Sequence, residues 1–114
     1  MSKRGVAVTR ASGDALAVLG NQIRLARHGL GWTIADLAAR LGVNPRTVTN
    51  LEAGVPTVSI GTVFNAAFLV GVDLFGLDGH ELARARRAGD DTLALLPAKV
   101  RKPVVTGSAD DFRF

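Results

Sequence analysis

The sequence predicts an all-α protein, a bundle of five short helices, on three observations. The stretch Thr33–Ala53, reading TIADLAARLGVNPRTVTNLEA, holds two helical patterns separated by one glycine, Gly42. Helical spacing continues on both sides: Leu16, Leu19, Ile23 and Ala26 before it, and Ile60, Val63, Phe64, Ala67 and Phe68 after it, recur at intervals of three and four. Between these segments stand Gly29, Gly31, Pro56 and Gly71, residues that end helices by taking positive φ or by lacking an N–H.

Composition bounds the rest. At 114 residues the chain reads as one domain with tails, and 47% apolar content excludes wholesale disorder. A core of ~60 residues folds alone, more securely as a dimer. There is no cysteine, which excludes a disulfide framework and cysteine metal sites and fits a reducing cytosol. The longest apolar run, Val63–Val72, is interrupted by Asn65 and too short to span a bilayer; Met1–Val8 lacks the apolar core of a signal peptide. A cytoplasmic protein is expected. Fourteen Lys and Arg against ten acids give a net charge of +4, which suits an anionic partner. The excess of Arg over Lys favours bidentate phosphate and base contacts, though a GC-rich genome produces the same bias. Enzymatic chemistry has no footing. Tyrosine is absent along with cysteine, and His28 and His80 lack metal-ligand spacing. Gly13, Gly20, Gly29 and Gly31 make no phosphate loop, and no serine has a nucleophile-elbow context. No catalytic residue, cofactor or metal is expected.

Taken in order, residues 1–11 form a flexible N-terminal arm carrying Lys3, Arg4 and Arg10, in which Gly5–Val8 is either a short strand or part of the arm. Ser12 or Asp14 caps the first helix, Asp14–His28, whose late Arg24 and Arg27 complement its dipole. His28 is a surface residue, and Trp32 packs at the edge of the core as a staple. Thr33 caps the second helix, with Ile34, Leu37, Ala38 and Leu41 inward; Gly42 stops it and Val43 plugs the angle. Asn44 caps the third, with Pro45 at its first position, where a missing N–H costs nothing. Val48 and Leu51 face inward, whereas Arg46, Thr47, Thr49 and Asn50 do not. Two helices joined by a tight glycine turn, the second with an outward polar row, form a helix-turn-helix.

Beyond the Pro56 loop, Ser59 caps Ile60–Val70, with Ile60, Val63, Phe64, Ala67 and Phe68 inward. Ala66, Leu69 and Val70 make this helix apolar on a second face, which calls for a second burial partner, another copy of the chain. Asp73 caps a fifth turn with Leu74, Phe75 and Leu77. Residues 12–77 thus make the helix-turn-helix domain, and residues 78–96 a helical extension. In the latter, the pattern Glu81–Ala88 carries Arg84, Arg86 and Arg87 as a solvated face or as a phosphate or partner surface. Residues 97–114 are a C-terminal tail with Lys99, Arg101 and Lys102, a possible strand Val104–Thr106, and an acidic-aromatic end. With Leu93, Leu95 and Leu96 just before it, this segment is partly disordered or lies in a partner's groove.

The helix-turn-helix stretch resembles that of the Cro/cI-type (XRE-like) regulators, on Thr33, Leu37, Ala38, Leu41, Gly42, Val43, Thr47, Val48, Glu52 and Gly54. The resemblance covers roughly residues 19–77 and implies a five-helix lambda-repressor-like DNA-binding bundle. The family's glutamine after the first cap is Ile34 here. The resemblance also implies that Arg27 pairs with Glu52, a structural tie on the third helix; the alternative is a solvated arginine. A narrower resemblance, to helix-turn-helix proteins encoded beside Hip-type kinase toxins, rests on Val58–Thr62 (VSIGT), Gly71–Phe75 (GVDLF), Leu96–Lys102 (LPAKVRK) and Asp110–Phe114 (DDFRF). It implies an antitoxin that represses its own operon and binds a Ser/Thr kinase toxin.

These readings combine into major-groove recognition of an inverted-repeat, double-stranded DNA operator by a homodimer. Arg46, Thr47 and Asn50 face base edges, and Asn44 lies near a base or phosphate. Thr33, Thr49, Ser59 and Thr62 are candidate phosphate donors, aided by N–H groups at the starts of the second and third helices. A stand-alone phage-like regulator, or an interaction adaptor using the helix-turn-helix as a dimer scaffold, are the alternatives.

Overall fold

Helix α1 (Arg10–Gly29) begins where Thr9 holds an extended backbone and its hydroxyl accepts the Ser12 N–H at 3.1 Å. It opens a computed structural model that describes residues 7–103. The cap expected at Ser12 or Asp14 thus falls earlier, because Ser12 is itself the third helical residue and receives the Thr9 hydroxyl at 3.0 Å. Gly20, Ile23 and Arg27 make the buried stripe. Helix α2 (Ile34–Leu41) has a reciprocal cap: Asp36 N–H donates to Thr33 Oγ1 at 3.0 Å and Thr33 N–H to Asp36 Oδ2 at 2.8 Å. These bonds hold the Asp36 carboxyl below the usual carboxylate range. Gly42, at φ 71°, closes the helix as expected. Helix α3 (Pro45–Glu52) starts on Asn44, whose Oδ1 accepts the Arg46 N–H at 2.8 Å. Helix α4 (Ile60–Val70) has the expected bounds, with Ser59 as its cap and Gly71 at φ 87° beyond it.

The chain divides into two units, Met1–Asp78 and Gly79–Phe114. In the first, the core gathers Ile23 from α1, Leu37 and Ala38 from α2, Val48 and Leu51 from α3, and Val63, Ala66, Ala67 and Val70 from α4, with Leu74 closing it. Ile23, Leu37 and Val48 are wholly enclosed, each contributing about 1.5–3 kcal/mol by leaving water. Trp32, Leu41, Val43 and Phe64 pack around the margin.

Two expectations for this unit are corrected. Ile60 and Phe68 are not inward: they are 70% and 47% exposed, and Ala66 and Val70 take the core positions instead. The small Ala66 and Ala67 let α4 lie close to the bundle, and that rotation turns the bulkier residues outward. The fifth turn at Leu74–Leu77 is not helical. Leu77 N–H donates to Leu74 O at 3.0 Å across Phe75 (φ 58°) and Gly76 (φ 69°). Two successive positive φ values mark a type I′ reversal. Phe75 accepts a left-handed backbone costing about 1–2 kcal/mol, and its ring meets Phe64 edge-on at 6.2 Å.

The second unit contains helix α5 (Gly79–Ala94), longer than the expected Glu81–Ala88, chiefly at its C-terminal end. Gly89 does not stop it; the Arg86–Asp90 pair (3.7 Å) and the Thr92 hydroxyl bonded to Ala88 O (3.0 Å) span that point. No side chain of α5 is buried. The expected strand at Val104–Thr106, the acidic-aromatic end, and residues 1–6 of the N-terminal arm lie outside the described residues. Among the described residues no helix is long and apolar enough to cross a membrane.

Gly20 decides how close α1 comes to α3. A Cβ there would collide with Glu52 O and stand 2.8 Å from Leu51 O, both rigid backbone atoms. Gly→Ala inside a helix ordinarily stabilises by about 0.5–1 kcal/mol, and Gly13→Ala, with only Val8 Cγ2 at 3.9 Å, should do so. Gly20→Ala should reverse the sign. Thermal melts of the two variants check this: the Tm should rise for Gly13→Ala and fall by several degrees for Gly20→Ala.

Candidate nucleic-acid interface

Helix α3 is short, only eight residues, and cannot hold itself in place by propensity. It is fixed from behind by one ion pair. Arg27, in the last turn of α1, donates from Nε to Glu52 Oε2 at 2.7 Å and from Nη2 to Glu52 Oε1 at 3.0 Å. Its Nη1 reaches Trp32 O at 2.8 Å, so a single guanidinium ties α1, the approach to α2 and the end of α3 together. Both side chains are 6% exposed. The hydrogen bond to Glu52 raises the Arg27 pKa above its already high ordinary value, so the guanidinium stays charged. The pairing implied by the family resemblance is present, and the solvated-arginine alternative is excluded.

With Val48, Leu51 and Glu52 held inward, the opposite side of α3 is left to solvent. Arg46 and Thr49 are exposed; Thr47 and Asn50 are half-buried at the margin. The Arg46 side chain has no partner among the described residues. The Asn44 oxygen is committed to the Arg46 N–H, which leaves the amide nitrogen as its outward donor. Thr49 Oγ1 donates back to Pro45 O at 3.3 Å. Thr47 and Asn50 line an open groove of ≈ 220 Å³ together with Thr57, Val58, Ser59 and Thr62. The groove therefore joins the outward side of α3 to the start of α4 and is walled mainly by hydroxyl and amide groups. Ser59 Oγ donates to Thr62 Oγ1 at 2.8 Å and accepts the Thr62 N–H at 3.2 Å.

Thr57 lines the groove and is a residue that sequence reasoning misses. It lies in the Pro56 loop, and nothing in spacing distinguishes it from its neighbours. The helix starts also differ from expectation. At α2 the Asp36 carboxylate occupies the cap and places negative charge there, which opposes a phosphate. Thr33 joins this box and lies outside the groove of Thr47 and Asn50. At α3 Pro45 has no N–H, and the N–H groups of Arg46 and Thr47 bond to Asn44. The start of α4 has no acid in its first turn, and its Ile60 and Gly61 N–H groups, like those of Ile34 and Ala35 at α2, have no acceptor among the described residues.

Trp32 is half-buried against the core, and Arg40 lies over its ring with Cζ 4.0 Å from the centroid. Its exposed face is thus covered by a cation. Among the described residues no cluster of His, Asp or Glu could hold a metal ion.

A helix braced from the rear by a buried ion pair, presenting an unpaired arginine and a polar groove, defines a DNA-binding regulator of the helix-turn-helix class. A family model described as a helix-turn-helix domain matches residues 18–85, more than half of the chain, and the protein belongs to that family. The fold is similar to that of a chain in a solved structure described as the complex of a singly substituted HipB with an O2 20mer, with 23% identity, a TM-score of 0.48, and coverage of 68% of this chain and 99% of the other. No match was found among curated proteins.

Proposed function

We propose that the protein is a sequence-specific repressor that reads duplex DNA as a homodimer through the outward side of α3. The observation that carries this is the groove uniting Thr47 and Asn50 of α3 with Thr57, Ser59 and Thr62. It sets base-reading groups beside hydroxyls suited to the adjacent backbone. Arg46 offers two donors to guanine and Asn50 a donor–acceptor pair to adenine, each good contact contributing ~1–3 kcal/mol of discrimination. Asn44 and Thr47 flank them. Ser59, Thr62 and the open N–H groups of α4 take phosphates, while Thr49, whose hydroxyl bonds to Pro45 O, and Thr33, boxed with Asp36, do not serve as donors in this reading. The exposed Phe68 and Leu69 of α4 supply apolar surface for a second copy, which would set two α3 helices on half-sites of an inverted repeat.

The regulator is, in this reading, the antitoxin of a Hip-type pair: it represses its own operon and neutralises a Ser/Thr kinase toxin. Its support is the sequence, in the resemblance carried by Val58–Thr62, Gly71–Phe75 and Leu96–Lys102. The neighbouring gene tests this half: it should encode a Hip-type kinase that co-purifies with this protein on co-expression and whose growth arrest is relieved, and the absence of such a kinase, or one neither bound nor restrained, rules it out.

DNA reading is tested by anisotropy titration with the duplex upstream of the protein's own gene. Arg46→Ala should weaken binding by ~1–3 kcal/mol and relax preference at one base pair. If Arg46→Ala combined with Asn50→Ala leaves affinity and base preference unchanged, the readout assignment is wrong.

A further inference from the structure

Among its described residues the helix-turn-helix unit is poor in free positive charge. Its described residues carry five arginines and five acids. Arg27 is consumed by Glu52, and Arg40 is stacked on Trp32. That leaves Arg10, Arg24 and Arg46 as its unengaged cations, with Asp14 and Asp73 acting against them. Duplex binding draws a large share of its affinity from phosphate neutralisation, and cations beyond these three, and beyond Lys3 and Arg4 at the start of the chain, would add to it.

The second unit holds such a source. Lys99, Arg101 and Lys102 fall within four residues, all exposed and none paired among the described residues. Pro97 and Pro103 bracket the run. Proline at each end bars a helix and biases the preceding residues, Leu96 and Lys102, toward extended backbone, so the side chains are spread rather than folded back on a turn. The run has no helix or strand, and Val100, within it, is 91% exposed. The arginines of α5 are a weaker source, because Asp90 faces Arg86 at 3.7 Å and Asp91 follows. The nearest acids to the Lys99–Lys102 run in sequence are Asp91 and Asp110.

We infer that Lys99, Arg101 and Lys102 are a second DNA contact, a sequence-blind clamp on duplex phosphates that supplies affinity while α3 supplies discrimination. The inference rests on the DNA-binding reading and adds a division of labour to it. Phosphate contacts of this kind position a protein without reading bases, and they reveal themselves through counterion release.

The test is a salt titration of the full-length chain and of the Lys99→Gln/Arg101→Gln/Lys102→Gln variant. Each is titrated against two probes, a random-sequence duplex and the duplex upstream of the gene. All three sites are solvent-exposed, so the melting curve should not move and serves as the folding control. Plots of log affinity against log salt should lose about 0.9 of slope per cation removed, about 2–3 in all, on both probes alike, with base preference retained. Binding with an unchanged slope overturns the clamp and leaves α3 readout standing, as it would if the run served a protein partner. No binding of either duplex by the unaltered chain overturns the DNA-binding reading itself.

Discussion

The ion pair between Arg27 and Glu52 is the interaction on which the geometry of this protein depends. Glu52 ends α3, where a carboxylate meets the negative end of the helix dipole and is disfavoured. It is also almost wholly buried, which a lone charge does not tolerate. Both penalties are offset by one partner whose planar fork matches the carboxylate with two bonds. The third bond from that guanidinium, to Trp32 O, extends the constraint to the start of α2. Because Gly20 has no side chain to obstruct it, α1 can press its backbone against the Leu51 and Glu52 carbonyls. Gly54, at φ 75°, likewise packs beneath the Leu16–Ala17 backbone, where a Cβ would stand 3.0 Å from the Ala17 nitrogen. The end of α3 is thus seated between two glycines and an ion pair.

Function follows from what this seat leaves free. Once Val48 and Leu51 are locked inward, the helix has one remaining orientation, and the Arg46 side chain is left without a partner among the described residues. An exposed polar side chain with nothing to bond inside the molecule is available to something outside it. The neighbouring hydroxyls of Thr57, Ser59 and Thr62 extend that surface onto a second element. Positive charge extends beyond the reading unit: the cationic residues of the Lys99–Lys102 run stand in the second unit.

Much of this is legible in the residues. Caps and stops are readable because they are local: Thr33, Asn44–Pro45, Ser59, Gly42 and Gly71 each act within one turn. The rotation of α4 is not, because Ile60 and Phe68 fit the same helical period as Val63 and Ala67; only the room taken by neighbouring helices decides between them. Leu74–Leu77 carries a helix-like apolar pattern, yet positive φ at Phe75 is a conformation that a phenylalanine does not advertise. Gly20 looks like an ordinary helix glycine, and its need arises from contact with residues some thirty positions later. The Arg27–Glu52 pair spans a similar gap; spacing alone gives no hint of it, and family resemblance supplies it. At the candidate site, the outward side of α3 can be read directly, whereas the part played by Thr57 requires the groove to be assembled.

The most direct measurement of the central claim is a double-mutant cycle at Arg27 and Glu52 in urea unfolding. If the pair braces α3 from a buried position, Arg27→Met and Glu52→Gln each lower stability by about 3–5 kcal/mol, and the double variant loses clearly less than the two together. Small, additive losses below about 1 kcal/mol, the size expected of an exposed pair, would contradict it.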